Sequence, residues 1–105
     1  MAEGLVARLL ALLERGEETA LLRFSLGNAL LAIDPAGAAD HLSRAVALDP
    51  QYSAAWKLLG RAQAAAGDVA AARASYARGI EVAESRGDIQ AAKEMRVFLK
   101  RLGAA

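Results

Sequence analysis

Leu58-Leu59-Gly60-Arg61-Ala62 answers Ser25-Leu26-Gly27-Asn28-Ala29 at a distance of 33 residues, and that echo decides the fold. A second echo runs beside it at 34 residues: Ala38, Leu42, Arg44, Ala45 and Val46 return as Ala72, Tyr76, Arg78, Gly79 and Ile80. A period of this length belongs to a helical repeat in which each unit buries its apolar face only against its neighbours. Arrays of this kind work by presenting a surface, so the period bears on function as well as fold.

The residue types around the echo agree. The chain has 105 residues, the size of one domain, with 27 Ala and 16 Leu against five Val, three Ile and one Thr. Ala and Leu lose little freedom in a helix, whereas β-branched side chains are stiff at χ1, so an all-α fold is expected. The net charge of +1 gives no overall pull toward nucleic acid or anionic membrane. Beneath it lies an asymmetry: residues 1–52 sum to −3 and residues 53–105 to +4. There is no Cys, which excludes disulfides, thiolate metal sites and thiol catalysis and suits the cytoplasm. The longest charge-free stretch, Phe24 to Ile33, is too short to span a bilayer, and Leu9–Leu13 is a poor signal-peptide core. A soluble, cytoplasmic protein is expected.

Periodicity and stop signals predict six helices with loops of a few residues, so successive helices pack antiparallel. The first runs about Glu3–Arg15 to a Gly16 cap, with Leu5, Val6, Leu9, Leu10, Leu12 and Leu13 on one broad arc. The second runs about Glu18–Ala32, with Glu17 and Glu18 against the positive end of its dipole. Asp34-Pro35 opens a third, to Leu48, as N-cap and first-turn proline. Asp49-Pro50 breaks the chain before a fourth, about Tyr52–Ala66. Gly67-Asp68 and Gly87-Asp88 punctuate a fifth, Val69–Arg86, and a sixth, Ile89–Leu102.

Trp56, Leu59-Gly60, Gly67-Asp68, Ala72 and Tyr76 resemble a tetratricopeptide repeat (TPR) unit. A preceding unit shows as Leu26-Gly27, Ala38, Leu42, Ala45 and Leu48-Asp49-Pro50. The chain departs from the family pattern at Gln63 (usually Tyr), Gly79 (usually Ala), Glu84 (usually Pro) and Arg23, the counterpart of Trp56. The whole chain looks like the small stand-alone two-repeat TPR proteins of bacteria. The resemblance implies a right-handed α-α superhelix in one domain, residues 1–105. It divides into a capping helix (3–15), a first repeat (18–50), a second repeat (52–86) and a closing cap (88–102).

In a TPR array the first helix of each unit lines the concave side, so the resemblance also picks the wheel face. For the second helix that face is Leu21, Phe24, Asn28 and Leu31; adding 33 gives Ala54, Lys57, Arg61 and Ala64. On the sixth helix Ala91, Ala92, Met95, Phe98, Leu99 and Leu102 form a core arc, and Lys93, Arg96 and Lys100 share a separate basic face. The expected groove has an apolar end (Leu21, Phe24, Leu31), then Asn28, then a basic end (Lys57, Arg61, Lys93, Arg96, Lys100). An apolar side chain and a carboxylate on one peptide would satisfy both ends. Co-chaperone members of the family hold terminal carboxylates with a Lys/Asn/Lys/Arg clamp. Asn28 matches its first Asn, but Phe24 replaces the Lys one turn earlier and Leu58 stands where the second Asn would be. A different acidic or C-terminal peptide is therefore the expected ligand.

Two other readings compete. The same surface could be a homodimer interface, with Phe24 and Leu31 covered by the first helix or a second subunit. Nucleic acid could contact Lys93, Arg96, Lys100 and Arg101, although near neutrality and core-spaced aromatics argue against it. Catalysis is not expected. His41, the one histidine, sits beside Asp40 and near Ser43, but adjacent helical positions point apart, and a surface histidine is the simpler reading. No His-carboxylate spacing suggests a metal, and Gly27, Gly60, Gly67 and Gly87 are too dispersed to cradle a phosphate or cofactor.

Overall fold

The computed structural model describes residues 2–103. They form six helices: α1 Ala2–Glu14, α2 Ala20–Leu30, α3 Pro35–Leu48, α4 Ser53–Ala65, α5 Val69–Ser85 and α6 Ile89–Arg101. The starts are set by side-chain caps. Thr19, Asp34, Asp68 and Asp88 each accept from the backbone N–H three residues on, at 3.0–3.2 Å. Gly16, Gly67 and Gly87 end α1, α4 and α5 with positive φ, a conformation that L side chains resist.

One expectation is corrected at this level. The second helix begins at Ala20, not Glu18, because Thr19 rather than a glutamate caps it. Glu18 instead accepts from Arg23 of α2 at 2.8 Å and from Arg44 of α3 at 3.1 Å. These guanidinium groups hold its carboxyl below the usual range, against a weaker opposing effect of burial.

Each helix packs on its sequence neighbours, and α2, α4 and α6 also touch one another in series. The helices α1, α3 and α5 do not meet among the described residues, so the array curves with α2, α4 and α6 on the inside. Two buried clusters result, one centred on α3 and α4, the other on α5 and α6. Trp56 packs against both, and its indole N–H donates to the Pro50 carbonyl at 2.8 Å. It is the wedge that joins the two repeats.

The echoed glycines are the points of closest approach. A Cβ on Gly27 would collide with Leu42, and one on Gly60 with the ring of Tyr76. Gly79, where the family pattern has Ala, leaves room for Met95 and Trp56. Met95 is fully buried there, so the loss of a methyl on α5 lets α6 dock closely.

Candidate partner-binding groove

The first residues of the inner helices, Ala20, Ser53 and Ile89, set a common register. It aligns Leu26, Leu59 and Met95, all buried, and it aligns the predicted site residues in four rows along the inner face. Leu21, Ala54 and Gln90 form the first row; Phe24, Lys57 and Lys93 the second; Asn28, Arg61 and Val97 the third; Leu31, Ala64 and Lys100 the fourth.

At the N-terminal end the groove is apolar. Leu21 is 64% exposed at the start of α2. Phe24 is half-buried, and its ring stacks on Tyr52 with centroids 5.0 Å apart and planes 26° apart. Tyr52 therefore covers part of Phe24. Leu31 is half-buried against the first cluster, and Asn28 is exposed. Beside Tyr52 lies an open depression of about 320 Å³ lined by Asp49, Gln51, Ser53, Ala54 and Arg86. Arg86 closes one side by donating to the Gln51 carbonyl at 2.7 Å. Burial, helped by Asp49, raises the Tyr52 phenol above its ordinary pKa.

The basic end differs from the expected stripe. Lys57 donates to Glu94 of α6 at 2.8 Å, and this bond holds the Glu94 carboxyl below its usual range. Its charge is thus already met within the chain. Arg96 turns away from Lys57 and pairs with Glu84 of α5. By register it stands level with Gly27 and Gly60, and its charge is met by Glu84. Arg61, Lys93 and Lys100 are exposed and form no ion pair among the described residues. Arg61 also lies near enough to the buried Tyr76 to oppose, in part, the upward push of burial on that phenol.

Tyr52 and Glu94 were not legible as site residues. In the sequence Tyr52 stands only as the start of the fourth helix, and nothing in the periodicity marks Glu94 as the partner of Lys57.

His41 is not a simple surface residue. It is half-buried, and its Nδ1 lies 2.9 Å from an Arg23 Nη1, an N–H that can only donate, so Nδ1 is the acceptor. Burial first, and Arg23 second, lower its pKa and so favour the neutral ring. No cluster of three or more metal-ligating side chains occurs among the described residues, and none of their helices is long and apolar enough to cross a membrane.

A curved array of short antiparallel helices joined by glycine-mediated close contacts defines a helical-repeat array. The chain belongs to the tetratricopeptide repeat family, whose profile it matches over residues 29–95. It is 51% identical to a TPR repeat-containing protein of Pseudomonas aeruginosa, across all of this chain and 97% of that one. The solution structure of a Bordetella parapertussis protein is also similar, with a TM-score of 0.78 and 44% identity over 92% of this chain and 85% of that one. TPR proteins are generally non-catalytic scaffolds that mediate protein interactions, and the family suggests a module of that kind here.

Proposed function

We propose that the inner groove captures a peptide or partner segment that carries an apolar side chain close to a carboxylate. The apolar side chain packs on Leu21, Leu31 and the Phe24–Tyr52 stack, with Asn28 placed to bond the peptide backbone. The carboxylate, acidic or C-terminal, meets Arg61, Lys93 and Lys100, while Lys57 is shared with Glu94 and Arg96 is tied to Glu84. One juxtaposition supports this reading: by helical register the proposed face carries exposed Leu21 with half-buried Phe24 and Leu31 at one end and, at the other, three cations without ion partners among the described residues. Exposed ion pairs are individually weak, so affinity would come from the apolar contacts and selectivity from the cations.

The test is selection of binders from a displayed library of free C-terminal peptides, followed by titration of the best one. Arg61→Glu with Lys93→Glu should weaken binding at least ~10-fold, the loss of about 1.4 kcal/mol, with helicity and melting unchanged. These residues are preferred to Lys57 because a glutamate at 57 would face Glu94 and disturb the fold. Binding that survives the double reversal refutes the carboxylate reading.

A further inference from the structure

We infer, on the groove reading just proposed, that Glu94 is a built-in competitor for the carboxylate of the bound segment. It holds Lys57 in the free protein and yields that ammonium when an acidic segment docks. Four cations share the rows of the inner face on α4 and α6: Lys57, Arg61, Lys93 and Lys100. The last three have no ion partner among the described residues, and Lys57 alone is engaged, its Nζ donating to Glu94 Oε1 at 2.8 Å. By register Lys57 shares its row with Phe24 and Lys93, so Glu94 neutralises the cation at which the apolar end gives way to the basic end.

Packing does not ask for a carboxylate there. Glu94 stands level with Leu58 of α4, which is 6% exposed and belongs to the first buried cluster. The same level on α6 therefore carries a charge in place of a core leucine. Nor does the docking of α6 depend on the ion pair. Ala92 and Met95 are buried with Ala72, Tyr76 and Ala83 of α5. Asp88 accepts from the Ser53 hydroxyl at 3.0 Å, Arg96 pairs with Glu84, and Arg73 donates to the Leu102 carbonyl at 3.2 Å. A neutral substitution at residue 94 leaves all of these ties in place.

The pair is also within reach of a ligand, with the Lys57 side chain 28% and the Glu94 side chain 40% exposed. Exposed pairs shift an equilibrium by a factor of about 1.5–5, little enough for a second carboxylate to take over the ammonium. The exchange is balanced in charge, because Lys57 keeps one carboxylate partner throughout. The released Glu94 turns to solvent beside Gln90, already its hydrogen-bond neighbour. In the free protein the competitor is held in its charged form. The Lys57 bond first, and the Lys57 charge second, lower the Glu94 carboxyl against burial, with Gln90 assisting and Asp88 opposing. A segment without a carboxylate cannot make the exchange, so Lys57 stays closed to it. Selectivity for acidic segments is thereby gained at some loss of affinity.

The test compares two probes: the acidic C-terminal peptide selected from the displayed library, and a neutral counterpart with amides in place of its carboxylates. Glu94→Gln should tighten the acidic peptide about 2–5-fold and leave the neutral one unchanged. A second arm uses the unsubstituted chain and so does not depend on how the variant folds. Nuclear Overhauser contacts between the Lys57 ε-methylene and the Glu94 γ-methylene, present in the free protein, should vanish in the saturated complex. Acidic-peptide binding that is equal or weaker in Glu94→Gln overturns the proposal, as does an equal gain for the neutral peptide. Contacts that persist in the complex also overturn it. If the Arg61 and Lys93 reversals still abolish binding in any of those cases, the groove stands and only the competitor falls. Binding that survives the reversals removes both.

Discussion

Arg23 and His41 show how one residue change reshapes a repeat. In the second unit Trp56 wedges between two cores; in the first, the same level holds Arg23, whose side chain is 19% exposed. Such a guanidinium needs partners, and Glu18 and His41 supply them. Arg23 is visible in the sequence as a departure from the family pattern, but its partners are not, because Glu18 lies in a loop and His41 on another helix. A pH dependence follows. The folded state lowers the His41 pKa, so it favours neutral imidazole relative to the unfolded chain. That contribution is complete above the ordinary value of 6.5 and fades as pH falls through the folded value. Glu18, also lowered, contributes in full above 4.5 and loses its share at lower pH. Urea midpoints should therefore fall between pH 7 and pH 5, and His41→Gln should flatten that portion of the curve. An identical slope in the variant would assign the decline elsewhere.

At the scale of helices, ends and faces were legible to different degrees. Asp34, Asp68 and Asp88 announce their helices because a short carboxylate can bond the third N–H while the preceding glycine or aliphatic residue leaves the last turn. The start of α2 was misread because Glu18 looks like a first-turn residue when its partners Arg23 and Arg44 are unseen. The face of α6 was read in part: its leucine and methionine arc is core, but neighbouring charges cannot reveal which of them point along the groove. Lys57 selects Glu94 by lying opposite it, a fact of packing that helical periodicity does not contain. Asp88 joins the two kinds of information. One oxygen caps α6 through the Ala91 N–H at 3.2 Å, and the other accepts from the buried Ser53 hydroxyl at 3.0 Å. Asp88→Ala should cost about 1–3 kcal/mol, the lost cap plus a hydroxyl left without its partner. Chemical denaturation measures this, and Asp88→Asn should restore part of it. A cost equal to that of Asp68→Ala, which removes a cap with no such second bond, would show that the Ser53 contact adds nothing.

Across the whole molecule, the period of 33–34 residues predicted the architecture because burial in a solenoid is local: each helix needs only its neighbours, and their spacing is written in the chain. The proposed function rests on the positions where the copies differ. Phe24 against Lys57 and Lys93, and Asn28 against Arg61 and Val97, turn equivalent positions into an apolar and a basic end. The inner face is thus the central claim, and nuclear magnetic resonance tests it most directly on an 11.0 kDa chain. On titration with a selected acidic C-terminal peptide, backbone amide shifts should concentrate at Leu21, Phe24, Asn28, Leu31, Arg61, Lys93 and Lys100. Shifts confined to the outer faces of α3 and α5, with these residues unmoved, would contradict it.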